Sequence, residues 1–359
     1  MNFEIPLYKN PDFNRQPFID SPSAKIETVQ FDGVAPYNYH ATSIYPEYIK
    51  LDGKWMLVQE SRMDCVIRVI ENTFEVVEIR RLKKNDRVVT GRIDDGSHGI
   101  FVYADGFYEN GKSSDVFSFR SGRSRETAYS RDYDRLYNLL RQEKENGYVT
   151  WVLGPAAAFD FDSRLAMVSL IKKGYVHALL AGNALAVHDI EGAVFKSALG
   201  QNIYNQASMP GGHYNHLDII NSARRYSSLK EFIINEKVMD GIIHACVENS
   251  VPFVLSGSIR DDGPLPSVLG NVYEAQDEMR RHARSTTTMI GLATQLHSIA
   301  TGNMMPSYRV INGAVRPVFI YSVDVSEFAV NKLRDRGSLE VTTIVANVQD
   351  FLVNLNRNL

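Results

Sequence analysis

The densest group of chemically able residues is the run Val251-Pro-Phe-Val-Leu-Ser-Gly-Ser-Ile-Arg-Asp-Asp-Gly-Pro-Leu-Pro266. Its apolar first part suits a strand buried on both faces, and turn residues begin where that strand must stop. Arg260, Asp261 and Asp262 follow, and charged groups at the carboxyl end of a buried parallel strand are where open α/β sheets bind ligands. The plainer alternative is a polar loop that follows a strand. His188 and Asp189 stand just after the Gly182-Asn183 turn, on the same expected edge. A neutral imidazole suits proton transfer near neutral pH, although a lone His at a helix start is commonly structural.

Small residues end other candidate strands: Gly154-Pro155-Ala156, Gly182-Asn183-Ala184 and Ser256-Gly257-Ser258. They let a backbone approach a ligand closely, and helix amino termini behind them favour an anion such as a pyrophosphate. The GxGxxG fingerprint is absent, so these residues equally fit tight βα turns. Asp324 closes the apolar run Val318–Val323, where a carboxylate can take ribose hydroxyls or cap the following helix. His213 and His216 lack an acidic third ligand at a recognisable spacing, so no metal site is expected. His297, on an apolar stretch, reads as a satisfied core histidine with a lesser chance of reaching a cofactor.

The elements that must position these groups fall into three stretches. Residues 1–50, rich in Pro, Asn, Asp and Tyr, read as an irregular arm or a set of short strands. Residues 51–125 carry short β-rich runs (Trp55–Val58, Cys65–Ile70, Phe74–Ile79, Arg87–Val89, Gly99–Tyr103) separated by turn signals, a small antiparallel domain. Its end, with Gly111–Ser114 and Arg120–Arg125, reads as a linker or an anion-binding loop. Residues 126–359 alternate strand and helix, which argues for a parallel sheet. The spacing predicts helices over 134–146, 163–173, from about His188, over 228–249 and over 273–282. Strands are expected over 148–153, 176–181, 251–256, 317–323 and 342–346, and Met289–Ala300 forms one more apolar segment.

Composition limits the partners. A net charge of −3 gives no reason to expect a nucleic-acid or anionic-membrane partner, and no apolar run approaches a membrane span. Cys65 and Cys246 sit in no ligand spacing, and a reducing cytoplasm is the default.

The strings Leu179-Leu-Ala-Gly-Asn-Ala-Leu-Ala-Val-His-Asp-Ile-Glu191 and Val251–Pro266 closely resemble the archaeal-type ornithine cyclodeaminase family, grouped with the LOR/SDH domain. A similar domain ends the cyanobacterial arginine dihydrolases. Gly154–Ala156, Glu274–Asp277, Leu296–Asn303 and Asp335–Ser338 also match, and the resemblance runs from about residue 125 to the end, more faintly before it. It implies an α/β fold with a Rossmann-like parallel sheet similar to deoxyhypusine synthase, a bound NAD, and a homo-oligomer, dimer or tetramer. The family converts L-ornithine to L-proline and ammonia: hydride leaves Cα, the δ-amine attacks the imine, ammonia departs, and hydride returns.

That chemistry needs a base, an acid and charge recognition. The resemblance implies Asp262, His188 and Asp189 as catalytic, Asp262 preferred over Asp261 because Gly263 lets the backbone turn. Arg260 and Asp261 are expected to bind an amino-acid substrate, and Gly154, Pro155, Ala156, Gly182, Asn183, Ala184, Ser256, Gly257, Ser258 and Asp324 to hold NAD. The synthases use a Lys in their carboxy-terminal region, and Asp335–Ala346 has none, which disfavours a covalent imine. An NAD-dependent amino-acid or opine-type oxidoreductase without cyclisation, and a non-catalytic NAD sensor, remain as alternatives.

Overall fold

The computed structural model describes residues 3–108, 130–261, 263–334 and 338–359 of the 359-residue chain. Asp262 and the Arg120–Arg125 segment lie outside the described residues.

A seven-stranded, wholly parallel sheet carries the second half of the chain. Its strands are β1 (Val149–Leu153), β2 (Ala178–Gly182), β3 (Phe253–Ser256), β4 (Val268–Leu269), β5 (Thr288–Leu292), β6 (Phe319–Asp324) and β7 (Glu340–Val345). Their spatial order is β4-β3-β2-β1-β5-β6-β7, so the chain runs outward one way from β1 and then returns to its other side at β5. This reversal between β1 and β5 is the topological switch point of a Rossmann-like sheet.

All five residues of β1 and all five of β5 are buried, as a sheet covered on both faces requires. Alternate side chains feed two cores. Val149, Trp151, Leu153, Leu179, Ile290 and Phe319 join the larger one. Val152, Leu180, Val254, Met289 and Ile320 join the other. The helices are α1 (Ser130–Asn146), α2 (Phe161–Lys172), α3 (Asn183–Phe195), α4 (Asn215–Ala223), α5 (Leu229–Asn235), α6 (Ile242–Glu248), α7 (Val272–Ala283), α8 (Gln295–Met304), α9 (Glu327–Arg334) and α10 (Val348–Asn358). Side-chain caps fix several starts: Asp160 accepts from the Ser163 amide, Asn271 from Tyr273, and Asn347 from Gln349.

The β-rich part is antiparallel throughout. One sheet orders Lys25–Thr28, Arg87–Thr90, Val66–Ile70 and Thr73–Val77, and a second orders Lys54–Leu57, Glu47–Leu51 and Ile100–Val102. Residues 1–50, expected as an irregular arm or short strands, thus supply a strand to each sheet, and Leu7–Tyr8 pairs with Phe107–Tyr108. Ile49, Val58, Ile67, Val89 and Ile100 form their shared core, all but unexposed. Tyr308, in the hairpin Tyr308–Ile311/Ala314–Pro317, joins this part to the large sheet by donating its hydroxyl to the Val58 carbonyl.

Two expected elements differ. The helix over 228–249 is two helices, α5 and α6, parted where Lys237 and Gly241 take positive φ (52° and 110°). The segment Met289–Ala300 is a strand followed by a helix, β5 then α8. Gly291 in that strand has the Ser298 Oγ only 2.4 Å from where a Cβ would stand, so α8 packs directly on the sheet.

Candidate active site

The carboxyl ends of the strands bring together Gly154, Gly182, Ser256, Ala293 and Asp324 along one edge. At the switch point the Gly154 amide donates to the Leu292 carbonyl (2.8 Å), and a Cβ on Gly154 would lie 2.0 Å from the Ala293 carbonyl oxygen. Only glycine allows β1 and β5 to stay this close where the chain turns away. Pro155 and Ala156 open a single 3-10 turn, Pro155–Ala158, at the mouth of the crevice, both half-buried.

Helix α3 starts at once after Gly182, five residues earlier than expected, and α8 starts after Thr294, both without a side-chain cap. Their first amides therefore keep free donors at the edge, the donor set that a pyrophosphate takes. Half-buried Ala184, in the first turn of α3, adds no polar group there. Asp324 ends β6 with its Oδ1 accepting the Ser326 amide at 2.9 Å. That turn uses one carboxylate oxygen and leaves the other for a ribose hydroxyl. The described residues at this edge fit NAD in glycines, donors and acid.

The charged loop after β3 is tied down from behind. Asn183 is buried, its Nδ2 donating to the Gly263 carbonyl (3.2 Å) and its Oδ1 accepting the Leu265 amide (3.0 Å). This side chain holds the loop, so its geometry assigns it to positioning rather than to cofactor contact. Asp261 Oδ2 accepts the Ser258 amide at 2.7 Å, and Ser258 Oγ accepts the Arg260 amide at 3.2 Å. The Gly257 amide pairs with the Leu269 carbonyl of β4 (2.9 Å), and the Ser256 hydroxyl turns back to Met279 Sδ (3.5 Å). Arg260 is exposed and its guanidinium has no acceptor among the described residues.

The family described as arginine dihydrolase ArgZ-like, C-terminal, Rossmann fold, matches residues 135–355, and the first region of that C-terminal part matches 46–128. An ornithine cyclodeaminase of Methanopyrus kandleri is 36% identical across 95% of this chain and 79% of its own length. One from Methanocaldococcus jannaschii is 36% identical across 91% and 76%. The chain belongs to the archaeal-type ornithine cyclodeaminase family. Among solved structures, a LOR/SDH protein of Methanococcus maripaludis superimposes with a TM-score of 0.84 at 33% identity, covering 94% of this chain and 98% of that one. The AgrE protein, solved in a ternary complex with ornithine and NAD+, matches with a TM-score of 0.59 at 32% identity, over 94% of this chain and 46% of AgrE.

Within this cyclodeaminase fold, the adjacent residues His188 and Asp189 part company. Asp189 is fully buried, accepting from Arg164 Nε (3.0 Å) and from the Ile242 and Ile243 amides (2.9 and 2.8 Å). Its carboxylate caps α6, and a Cβ at Gly241 would lie 2.7 Å from it. No acceptor capacity faces the crevice. His188 Nδ1 instead meets Glu191 Oε2 at 2.8 Å, in edge contact with Phe159 from the turn after β1. Glu191 also accepts from the Ser197 hydroxyl (2.7 Å) and the Gly200 amide (3.3 Å). Burial pushes its carboxyl up, but these hydrogen bonds outweigh that and hold it below its usual value. With Nδ1–H given to Glu191, His188 keeps Nε2 as its proton-accepting atom.

Sequence reasoning passed over Glu191, three residues on, although an i,i+3 His–Glu pair on one helix face was readable. It also underrated His297. Its ring carbon Cε1 lies 3.6 Å from the Cβ position of Gly182, and its ring has no hydrogen-bond partner among the described residues. Burial pushes this imidazole down, so it is neutral at neutral pH. It is therefore not a satisfied core histidine. Arg224, a second cation at the loop, donates through Nε to the Pro264 carbonyl (3.1 Å) and has a guanidinium nitrogen 3.0 Å from the Cβ position of Gly263. No group of three metal-ligating side chains gathers among the described residues, with the His213 ring tilted against Tyr214 and His216 near His188.

Proposed function

We propose that this chain is an NAD-dependent ornithine cyclodeaminase, turning L-ornithine or a related diamino acid into L-proline and ammonia. The observation that carries the reading is the AgrE complex with ornithine and NAD+, aligned over 94% of this chain. NAD, when bound, would accept one hydride from Cα and return it after ring closure, so that none is consumed. Gly154, the first amides of α3 and α8, and Asp324 would hold it.

In this reading Arg260, exposed and without an acceptor among the described residues, clasps the substrate carboxylate, in the planar geometry guanidinium offers. Asp261, with one oxygen fixed by the Ser258 amide, presents the other to the cationic δ-end. Asp262 takes the proton from the α-ammonium and gives it to departing ammonia. His188 Nε2, its ring oriented by Glu191, removes the δ-ammonium proton so that this amine can attack. Asp189 belongs to the scaffold. His297 lines the Gly182 side of the cofactor crevice as a neutral ring.

Buried thiols at Cys65 and Cys246 support a reducing, cytoplasmic setting. Exposed Ile259, Leu296, Val325 and Phe328, all just beyond strand ends or at a helix start on this edge, support a homo-oligomer that covers them.

The test is incubation with L-ornithine and NAD. Proline and ammonia in equal amounts, without net NADH, is the expected result; net NADH accumulation moves the chain to the oxidoreductases. Asp262→Asn is expected to retain NAD and lose turnover about a hundredfold or more. Unchanged turnover in that variant removes Asp262 from the mechanism.

A further inference from the structure

A second charged site lies away from this edge, between the β-rich part and the carboxyl end of α7. It is a cleft of about 400 Å³ lined by Arg68, Arg81, Arg280, Arg281 and Arg284, with only Glu75 and Asp277 as lining carboxylates. Strand β5 begins four residues after Arg284, so the cleft sits at the amino end of the large sheet.

Several of these guanidiniums are already used. Arg68 Nε donates to Glu75 at 3.2 Å and its Nη1 to Asp86 at 2.9 Å. Arg280 donates to Glu78 and, at 3.3 Å, to Asp277. Arg284 is different. Its nearest carboxylates stand at 3.7 Å (Glu60, from Nε) and 3.8 Å (Glu75), ion pairs beyond hydrogen-bond reach, so its guanidinium makes no hydrogen bond among the described residues. Arg280 Nε is likewise buried and unpaired, in a side chain almost closed to solvent. Arg281 meets Glu278 at 3.1 Å and is otherwise open to the cleft and solvent. Carboxylates behind the wall (Glu60, Glu78, Asp86 and Glu278) engage several of these cations, but the cleft surface itself carries five guanidiniums and two carboxylates. Burial, with smaller contributions from Arg81 and Arg62 and against the pull of Glu78 and Asp277, pushes the Arg280 guanidinium down to about 10.

We propose that this cleft binds a small dianionic oxyanion, a phosphoryl group or a dicarboxylate, held by the terminal guanidinium donors of Arg281 and Arg284. Planar forks with free N–H groups suit such an anion, and the cleft has the volume of a small-ligand site.

Calorimetric titration of the NAD-loaded protein with inorganic phosphate, and separately with succinate, tests this at an ionic strength fixed with chloride. Saturable binding of at least one is expected, and whichever binds tells phosphoryl from dicarboxylate recognition. Arg281→Gln/Arg284→Gln is expected to weaken it about tenfold or more. Arg284→Gln alone, which breaks no hydrogen bond among the described residues and only the two long ion pairs, keeps the test open if the double variant does not fold. Arg260→Gln is expected to leave the affinity unchanged. Absence of saturable binding for both anions overturns the proposal, as does binding lost in Arg260→Gln but kept in the Arg281/Arg284 variants.

Discussion

Asp189→Asn separates scaffold from chemistry at the pair His188-Asp189. The native carboxylate accepts three hydrogen bonds, from Arg164 Nε and two α6 amides, with both side chains of the ion pair at most 2% exposed. Asparagine keeps the shape but turns one acceptor into a donor. In its better orientation the amide oxygen keeps Arg164 and the Ile242 amide, while its NH2 confronts the Ile243 amide. Arg164 then retains as its only carboxylate the half-exposed Asp240 at 3.2 Å. Breaking one member of a buried ion pair costs about 3–5 kcal/mol, a fall in melting temperature on the order of 10 °C. Urea titration is expected to shift its midpoint by that energy with an unchanged slope, and kcat measured well below the melt stays within about threefold of the parent. A variant with an unmoved midpoint and kcat down about a hundredfold makes Asp189 a reacting group and refutes the reasoning.

Gly154→Ala forces a Cβ to 2.0 Å from the Ala293 carbonyl, whereas Gly182→Ala meets nothing nearer than 3.6 Å, so thermal melts are expected to show the first losing about 2–3 kcal/mol more than the second. For Glu191 the folded pKa lies below its ordinary 4.5, so the unfolded chain binds more protons around that pH; the pair's stability is present above about 4.5 and lost as pH falls through the folded value. Glu191→Gln should therefore flatten the acid limb of a stability-against-pH curve, and an unchanged limb counts against the His188–Glu191 bond. His297→Phe breaks no hydrogen bond among the described residues and is expected to hold its melting temperature within a few degrees while weakening NAD binding or kcat/KM about tenfold; full activity in that variant removes the ring from the crevice.

Periodicity made most of the sheet readable, because strands buried on both faces are short apolar runs between turn residues. It failed at β5. There Met289–Leu292 runs into Gln295–Ala300 with only Ala293 and Thr294 between, and neither residue is a strong turn signal. Losing β5 hid the switch point, and with it the reason for Gly154. The break between α5 and α6 was missed for a different reason: it depends on a carboxylate 53 residues away, Asp189, which no local window contains. At the site, the strand-end loop and its charges were legible from residue types alone. Which charges are occupied was not, since Asp189 and His188 look equally able in sequence and only their partners distinguish them.

The contact between the β-rich part and α7 is built from ion pairs: Glu78 with Arg280, Arg81 with Asp277, and Arg80 hydrogen-bonded to Gln276. Other contacts are of a different material: Phe3 lies edge-on to Phe319 at 5.2 Å, the Tyr308 hydroxyl donates to the Val58 carbonyl, and the Ser307 amide donates to the Ser61 carbonyl at 3.0 Å. Salt screens the exposed members of the first and leaves the ring contact and hydrogen bonds of the second in place. The β-rich part is therefore held by charge at α7 and by hydrogen bonds and a ring contact elsewhere. Rising ionic strength is therefore expected to weaken the half-exposed Arg81–Asp277 pair before the largely buried Arg280–Glu78 pair.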